Sequence, residues 1–158
     1  MINCRFENGR KTSLRHCVVD ALVIDKGKIL LIKRAPRLLN GGKYAVIGGY
    51  IERDEDSKQA LIREAKEETG YHIMPVELFR IADNPDRPQE DRQNVAFFYL
   101  AKVIKKIGGG NDEVSEIRWF DLNNLPPKNL FAFDHYGTIE LYKRYLKKKF
   151  PLPFVGKI

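Results

Sequence analysis

The sequence has little of what would indicate an oxidising compartment or a membrane. Its two cysteines, Cys4 and Cys17, lie far apart and form no Cys-x-x-Cys pair, so reduced thiols without a catalytic role are expected. No apolar run approaches the roughly 20 residues that a membrane-spanning helix requires. The N-terminal stretch MINCRFENGRKTSLRH lacks the apolar core of a signal peptide. We therefore expect a cytoplasmic location and no membrane partner.

Internal repeats, low-complexity tracts and linkers are absent as well. With 158 residues, of which 43% are hydrophobic and 31% charged, the chain has the size and composition of one domain, residues 1–158. The 28 Lys and Arg residues exceed the 21 Asp and Glu residues, which gives a net charge of +7. That charge suits nucleic acids, small phosphorylated molecules or solubility. Because no RNA-binding or helix-turn-helix signature accompanies it, a nucleic-acid partner is not expected.

Runs of β-branched, aliphatic and aromatic residues alternate with glycine- and proline-rich breaks. They predict strands over 16–25, 28–34, 43–51, 71–82, 94–104 and 113–122. One helix is predicted between Asp56 and Gly70 and a second over 134–149. Many strands with two main helices indicate an α/β (α+β) sandwich with a mixed sheet. The packed side of the second helix is expected to contain Ile139, Leu141, Tyr142, Tyr145 and Leu146.

The first predicted helix has clear start and stop signals. Asp56 is followed three residues later by Gln59, which is the spacing of a capping box. Gly70 suits the left-handed conformation in which many helices end. A helix of ordinary stability is therefore expected between them.

The same helix carries acids where they are unfavourable. Glu64, Glu67 and Glu68 share one arc of its last turns, where each carboxylate costs about 0.3–1 kcal/mol against the helix dipole. A divalent cation reverses this penalty, because clustered carboxylates are ligands that Mg²⁺ prefers. The alternative is a solvated acidic face that Arg63 and Lys66 compensate. The spacing of the surrounding residues decides between the two interpretations.

That spacing matches the signature of a known enzyme family. Gly49 is followed after five residues by Glu55, and after seven more by REAKEETG at 63–70. The pattern resembles the Nudix hydrolase signature G-x5-E-x7-R-E-U-x-E-E-x-G-U, in which U is a bulky apolar residue. Every fixed residue is present. The departures, a small Ala65 and an aromatic Tyr71, fall at apolar positions that affect packing more than chemistry.

The resemblance implies a Nudix-type α/β/α sandwich and a definite chemistry. Nudix hydrolases cleave a diphosphate that links a nucleoside to another group X, and they use Mg²⁺ or Mn²⁺. By this resemblance Glu64, Glu67 and Glu68 bind the metal, and the carbonyl of Gly48 completes its shell. The cation neutralises the diphosphate and lowers the pKa of a bound water.

The resemblance also assigns supporting and proton-transfer roles. Arg63 is expected to hold Glu64 in position, and Glu55 to support or join that network. Glu64 is the first candidate for the general base. Glu113 and Glu116, which lie beside the GGGND loop, are the alternatives, and their structural interpretation is a solvent-facing strand start.

Two stretches outside the signature resemble the ADP-ribose pyrophosphatase branch of the family. In the stretch 84–101, Pro85 lies fifteen residues after Gly70, and FAFDH at 131–135 precedes the second helix. The implied reaction is hydrolysis of ADP-ribose to AMP and ribose 5-phosphate. Arg87 and Arg92 are candidates for binding phosphate or the terminal ribose, because guanidinium groups form paired hydrogen bonds with such groups. Loop solubility is the alternative for both.

Three further positions complete the candidate substrate contacts. Tyr99, with its neighbours Phe97 and Phe98, is a candidate for stacking on adenine, with ordinary sheet core as the alternative. Glu113 is a candidate contact from the flexible loop that precedes it. His135 is interpreted as a capping or packing residue.

Other functions remain open at this point. Within the class, the rival is a (d)NTP pyrophosphatase that removes oxidised or non-standard nucleotides. Capped RNA and dinucleoside polyphosphates have no specific sequence element. From another class, the rival is a non-catalytic sensor of ADP-ribose or NAD metabolites. The intact signature carboxylates favour turnover, and PLPFVGKI after the second helix leaves no room for a DNA-binding domain. Since related enzymes are often dimers, a homodimer that exchanges residues 1–15 is also expected.

Overall fold

The computed structural model describes residues 2–88 and 92–158. Two α-helices occur within them, α1 (Ser57–Thr69) and α2 (His135–Lys147), together with a 3-10 helix at Lys128–Leu130. The strands are β1 (Ile2–Arg5), β2 (Lys11–Leu14), β3 (Cys17–Asp25), β4 (Lys28–Arg34), β5 (Tyr44–Ala45), β6 (Ile47–Tyr50), β7 (Tyr71–Ala82), β8 (Val95–Lys106), β9 (Val114–Asp121) and β10 (Phe154–Val155).

Eight of the described strands form one mixed sheet. Its order is β10-β7-β8-β3-β4-β5, with β6 also paired to β3 and β9 to β4. The β3–β8 and β7–β10 pairs are parallel, and the other pairs in this sheet are antiparallel. The predicted mixed sheet is thereby confirmed. Strands β1 and β2 form a separate antiparallel hairpin.

The two helices cover opposite faces of the central strands. Side chains alternate between the faces of a strand, so neighbouring residues of β3 and β4 enter different cores. This arrangement confirms the expected α/β/α sandwich. From β3 and β4, the core against α1 contains Val19, Ala21, Val23, Leu30 and Ile32, and the core against α2 contains Val18, Leu22, Ile29 and Leu31.

Helix α1 begins and ends as its sequence predicts. The Asp56 carboxylate accepts hydrogen bonds from the backbone N–H groups of Lys58 (2.8 Å) and Gln59 (2.9 Å). The Gln59 side chain in turn accepts from the N–H of Asp56 at 2.8 Å. Gly70 ends the helix with φ 68°. These caps fix the helix register and therefore which side chains point into the sandwich.

The structure corrects the sequence-based boundaries at several places, and the strand predicted over 43–51 is divided into β5 and β6. Strands β1, β2 and β10 were not expected, because they are short, and β10 gains its pairing only from distant residues of β7. Helix α2 ends at Lys147 instead of residue 149. Leu146 is 50% exposed, so the prediction that it packs is wrong, because in the last turn of α2 the neighbouring Tyr145 faces the core instead. None of the described helices is both long and apolar enough to cross a membrane.

Candidate functional site

A cleft of about 350 Å³ lies between the signature segment and the opposite end of the sheet. One wall is built from β6 and the second half of α1. The other is built from β3, the end of β4 and the segment before α2. The cleft therefore joins the signature to residues distant from it in sequence. Its polar lining includes Gly48, Gly49, Arg63, Glu64, Glu67 and Glu68 on the first wall, and Asp20, Arg34, Arg87, Glu113 and His135 elsewhere.

Two glycines of β6 allow the backbone to approach its neighbours. A Cβ atom at Gly49 would lie 2.2 Å from Oε1 of Glu64. A Cβ atom at Gly48 would lie 2.1 Å from the carbonyl oxygen of Val19. Both separations are far shorter than non-bonded contacts permit. The Gly-Gly pair thus brings the β6 backbone directly against the carboxylates of α1.

Glu68 is a buried acid at the base of the cleft. Glu68 is 3% exposed, and its Oε2 atom accepts a hydrogen bond from the N–H of Gly48 at 3.0 Å. Burial raises the pKa of Glu68 well above its usual range, and the nearby charges of Glu64 and Asp20 raise it further, whereas the N–H of Gly48 and the charge of Arg34 lower it. Burial and the neighbouring acids outweigh this compensation, so the carboxylate form of Glu68 is disfavoured.

Glu64 and Glu67 share the guanidinium of Arg63. Its Nη1 atom lies 2.8 Å from Oε1 of Glu64 and 3.4 Å from Oε2 of Glu67. Burial raises the pKa of Glu64, Arg63 opposes this shift, and the charges of Glu67 and Glu113 add to it. Glu113 is therefore close enough to act on the acids of α1 electrostatically.

Glu55 holds Arg63 in place rather than lining the cleft. It accepts from Nε of Arg63 at 3.1 Å and from Nη2 at 2.7 Å, the paired geometry that guanidinium and carboxylate favour. The carbonyl of Tyr50 accepts a further bond from Nη2 at 3.0 Å, and the N–H of Glu52 donates to Glu55 at 2.8 Å. The hydrogen bonds from Arg63 lower the pKa of Glu55 and raise that of Arg63.

The signature wall fits a divalent cation in its chemistry. Within residues 2–88 and 92–158, no three His, Cys, Asp or Glu side chains lie close enough together to form a metal-binding group, and Glu64 and Glu67 both bond to Arg63. Glu68 is a buried acid that accepts from the N–H of Gly48, and its raised pKa shows that the charge of Arg34 does not fully balance it. Hard oxygen ligands with unbalanced negative charge are what Mg²⁺ and Mn²⁺ require.

On the opposite wall Arg87 belongs to an ion-pair group in which two arginines flank one largely buried acid, Asp134. Asp134 lies 2.8 Å from Nη1 of Arg80 and 2.8 Å from Nη2 of Arg87, and both arginines are buried. Burial alone would raise the pKa of Asp134, but Arg87 and Arg80 lower it to about 2. This ion-pair group anchors the start of α2 to β7 and fixes Arg87 at the edge of the cleft.

Asp20 and His135 meet beside this group, and the sequence analysis did not identify their pairing. The N–H of Val46 donates to Nδ1 of His135 at 3.2 Å, so the ring proton of the neutral form lies on Nε2, 3.8 Å from Oδ1 of Asp20. Burial lowers the pKa of His135 to about 3 and raises that of Asp20 to about 7. The interpretation of His135 as a packing residue omitted its place in the cleft.

The predicted aromatic contacts lie in the core. Tyr99 is 6% exposed, packs in the core against α1, and shares a 2.6 Å hydrogen bond with the Ser57 hydroxyl. A side chain in this position has no free face for a base, so the prediction that Tyr99 stacks on adenine is wrong. Phe98 is fully buried and Phe97 packs against the core of α1, which supports the structural interpretation of both.

Three of the remaining predicted residues, Arg87, Arg92 and Glu113, lie at or near the cleft. Arg87 and Glu113 line it. The exposed Arg92 donates to the hydroxyl of Tyr50, which also lines the cleft, so Arg92 lies at its rim. Glu116 accepts from the Tyr44 hydroxyl at 3.5 Å. Part of the predicted substrate-binding stretch, residues 89–91, lies outside the described residues.

Comparison with protein families gives a match over most of the chain. The model of the NUDIX domain matches residues 14–142. An ADP-ribose pyrophosphatase of Methanocaldococcus jannaschii is 36% identical over 127 residues, which are 80% of this chain and 72% of that protein. The NAD-capped RNA hydrolase NudC of Pseudomonas aeruginosa is 27% identical over 106 residues, which are 67% of this chain but 36% of that protein. The chain thus spans about a third of the NudC relative.

Solved structures show the same fold. A NUDIX hydrolase from Nitrosomonas europaea superposes with a TM-score of 0.80 at 22% identity, over 99% of this chain and 93% of that one. An ADP-ribose pyrophosphatase from Streptococcus suis superposes with a TM-score of 0.68 at 21% identity, over 91% of this chain and 100% of that one. At these identities the likeness concerns the fold.

Proposed function

This chain belongs to the Nudix family and is a pyrophosphohydrolase, and on that premise we propose that it hydrolyses ADP-ribose to AMP and ribose 5-phosphate. The observation that carries the proposal is the cleft itself. In it the signature carboxylates face a second wall that contains two arginines, Arg34 and Arg87. A diphosphate between these walls would meet guanidinium groups on one side and a cation-binding acidic cluster on the other.

The choice of ADP-ribose has a separate support. The relative from Methanocaldococcus jannaschii, at 36% identity, is an ADP-ribose pyrophosphatase and matches 80% of this chain. Arg87 comes from a segment that the sequence resemblance connects with that branch. Its buried ion pair with Asp134 fixes its position, and a fixed guanidinium loses little freedom when it binds phosphate.

We assign the cation to Glu64, Glu67, Glu68 and the carbonyl of Gly48. When bound, a divalent cation would neutralise the diphosphate and lower the pKa of a water. Glu68 would contribute a carboxylate that burial keeps in place, whereas Glu67 is half-exposed and free to reorient. The adjacent glycines of β6 allow the backbone of this strand to lie close to Glu64.

The remaining residues would position the reacting groups and accept a proton. Arg63, held by Glu55, orients Glu64. Glu64 is the first choice for the general base because its pKa is raised and it lines the cleft. Glu113 is the alternative, since it lines the same cleft from the opposite loop.

A substrate panel tests the proposal. The protein is incubated with ADP-ribose, diadenosine polyphosphates and oxidised dGTP, in Mg²⁺ and in EDTA, and the products are identified. We expect AMP and ribose 5-phosphate from ADP-ribose in Mg²⁺ and no turnover in EDTA. If only triphosphates are cleaved, the protein is a (d)NTP pyrophosphatase and the ADP-ribose proposal is wrong. Binding of ADP-ribose without AMP release would indicate a sensor.

Two expectations from the sequence, a homodimer and a cytoplasmic location, remain predictions. The exposed apolar side chains of the β1–β2 hairpin support the first of them. Light scattering of the purified chain tests it.

A further inference from the structure

A cavity of about 750 Å³ lies between α2 and the segment 150–158, apart from the cleft. Its volume is within the range of about 300–1,000 Å³ that small-molecule sites occupy. Among the described residues, none lines both this cavity and the cleft. The proposed hydrolysis of ADP-ribose therefore leaves the cavity without a role.

The floor of the cavity is apolar. Leu141 of α2 is 3% exposed, and the half-buried Phe150 and Phe154 pack against the core of α2. The rings of Phe150 and Phe154 meet at 68° with centres 6.1 Å apart, and Pro151 adds a further apolar surface. An apolar group that enters this space would leave water, which favours its binding.

The segment that forms one wall is held by contacts outside the cavity. Its strand β10 pairs with β7, and the N–H of Gly156 donates to the carbonyl of Ile81 at 3.0 Å. The carbonyl of Gly156 accepts a hydrogen bond from Nη2 of the buried Arg80 at 3.2 Å. This wall is therefore formed before a ligand arrives, and little conformational freedom is lost on binding.

Cations surround the apolar floor. Arg144, Lys147 and Lys148 line the cavity from the end of α2, and Lys157 lines it from the opposite wall. Lys157 pairs with Asp86 at 2.6 Å. Within residues 2–88 and 92–158, the other three cations form no ion pair, and the lining of the cavity includes no acid. Positive charge at the rim is thus left without compensation by the described residues.

The helix dipole explains only part of this cluster. The C-terminal end of a helix favours positive charge. However, Arg144 and Lys147 lie three residues apart on α2, a spacing at which like charges repel, and Lys148 follows directly. An anion at the rim would relieve that repulsion.

We propose that this cavity binds a single fatty acid molecule, with its acyl chain on the apolar floor and its carboxylate at Arg144 and Lys147. Hydrogen bonds between a guanidinium and a carboxylate are charge-assisted, and therefore strong. A second copy of the chain is a poor occupant, because each copy has a net charge of +7. A membrane surface fits less well too, since Phe150 and Phe154 are half-buried against the core and do not protrude.

Calorimetric titrations with three probes test the proposal. Decanoate has both the acyl chain and the charge, decanol has the chain alone, and acetate has the charge alone. We expect saturable binding of one decanoate per chain, at concentrations below those at which it forms micelles. Decanol should bind about tenfold or more weakly, because a hydrogen bond to a charged group contributes at least that factor. Acetate should show no measurable binding.

Paired variants separate a site from the general attraction of a basic protein. Arg144→Gln combined with Lys147→Gln should weaken decanoate binding about tenfold or more and leave decanol binding unchanged. Lys102→Gln combined with Lys105→Gln removes the same charge from exposed positions of β8 outside the cavity lining, and should leave both affinities unchanged. Thermal unfolding checks the fold of each protein. Arg144→Gln alone replaces the first pair if that protein does not fold.

The inference is overturned if decanoate shows no saturable binding, or if decanoate and decanol bind equally well. An equal loss of decanoate binding in the two double variants, or no loss in either, would also overturn it. Binding to vesicles of phosphatidylglycerol without binding of monomeric decanoate would instead assign the cations to a membrane surface. Since none of these titrations contains ADP-ribose, their failure would leave the proposed function unaffected.

Discussion

At the scale of single residues, Glu68 shows how the fold keeps an acid where water would not support it. Its carboxyl group is buried and accepts one hydrogen bond, from the N–H of Gly48. Burying a carboxylate is unfavourable, and the charge of Arg34 only partly offsets that cost, so the pKa of Glu68 stays raised. Binding of a divalent cation, as we propose, would stabilise the charged form.

The first prediction follows from that conflict. In Glu68→Gln the amide oxygen can still accept from Gly48, but the negative ligand is lost. We expect kcat/KM for ADP-ribose to fall by at least about 100-fold, because a hard cation loses an anionic ligand. In EDTA at pH 8 the melting temperature should stay the same or rise, since no buried charge must then be desolvated. Steady-state kinetics and thermal unfolding measure the two effects.

Glu140→Gln is the matched control for this variant. Glu140 lies on α2, outside the cleft lining described above, and pairs with Lys143 at 2.8 Å. Its replacement should leave both kcat/KM and the melting temperature in EDTA close to those of the wild type. Full activity in Glu68→Gln would contradict the role of Glu68 as a metal ligand.

Asp20 and His135 give a prediction about pH. In the folded protein the pKa of Asp20 is raised to about 7 and that of His135 is lowered to about 3, from ordinary values of 3.8 and 6.5. Between about pH 4 and 6.5 the folded pair therefore holds one proton, on Asp20, and the unfolded pair holds one, on His135. Because the numbers of bound protons are equal, the pair adds almost no pH dependence to the stability.

Single substitutions should expose the two opposed effects. In Asp20→Asn the unfolded state binds a proton on His135 that the folded state does not bind. The free energy of unfolding should then rise with pH across this window, by up to about 1.4 kcal/mol per pH unit relative to wild type. In His135→Asn the folded state holds the extra proton on Asp20, so the free energy should fall as pH rises. Denaturant titrations between pH 4.5 and 6 measure the slopes. If the free energy of unfolding changes equally with pH in the wild type and both variants, the proton is not on Asp20 in the folded state and on His135 in the unfolded state.

At the scale of elements, strand β6 carries two adjacent glycines with different constraints. A side chain on Gly48 would meet the backbone of β3, whereas one on Gly49 would meet the far end of the flexible Glu64 side chain. Backbone cannot move aside without loss of strand pairing, but a glutamate can change its rotamer. The two positions should therefore respond differently to the same substitution.

The prediction contrasts the two alanine variants. Gly48→Ala should destabilise the protein by about 3 kcal/mol or more, because of overpacking against β3. Gly49→Ala should leave the free energy of unfolding within about 1 kcal/mol of wild type while activity falls at least about tenfold, because Glu64 is displaced. Denaturant unfolding and ADP-ribose turnover on the same samples separate the effects. Equal losses of stability would refute this account of the Gly-Gly pair.

The sequence predicted the elements where local signals agree with the packing. The capping box at Asp56 and the left-handed Gly70 gave the bounds of α1 because both are local features. Strand β10 depends on two residues pairing with Arg80 and Ile81, a contact that no local pattern encodes. Leu146 was expected to pack from the helical period, but in the last turn of α2 the neighbouring Tyr145 occupies the position that faces the core.

The two walls of the site also differ in how far the sequence predicted them. The residues of the signature wall lie close together in sequence, so their spacing was informative. The opposite wall is assembled from β3, the loop around Arg87 and the start of α2, which only the sheet order brings together. One signal was present: Asp20 is a lone acid within the apolar run of β3, and such a residue requires a partner. Tyr99 is the opposite case, a residue that was predicted to contact substrate but packs in the core, as aromatic residues of central strands more often do.

At the scale of the whole molecule, the β1–β2 hairpin is the part least explained by the sandwich. Ile2 pairs with Leu14, and Cys4 with Thr12, so these four side chains share one face. Ile2 and Leu14 are 44% and 43% exposed, and Phe6, which follows β1, is 43% exposed. A two-stranded hairpin is only marginally stable by itself. A second copy of the chain would cover this face and stabilise it.

The last prediction therefore concerns assembly. We expect the intact chain to be a dimer by light scattering and the chain without residues 1–14 to be a monomer. With a net charge of +7 on each copy, the dimer should dissociate less at higher salt, because salt screens the repulsion. Replacing Ile2, Phe6 and Leu14 by serine should give the monomer too, whereas Asn3→Ala and Ser13→Ala on the opposite face of the hairpin should not. A wild-type chain that stays monomeric at every concentration and salt would show that the hairpin is exposed in solution and that its apolar face has another purpose.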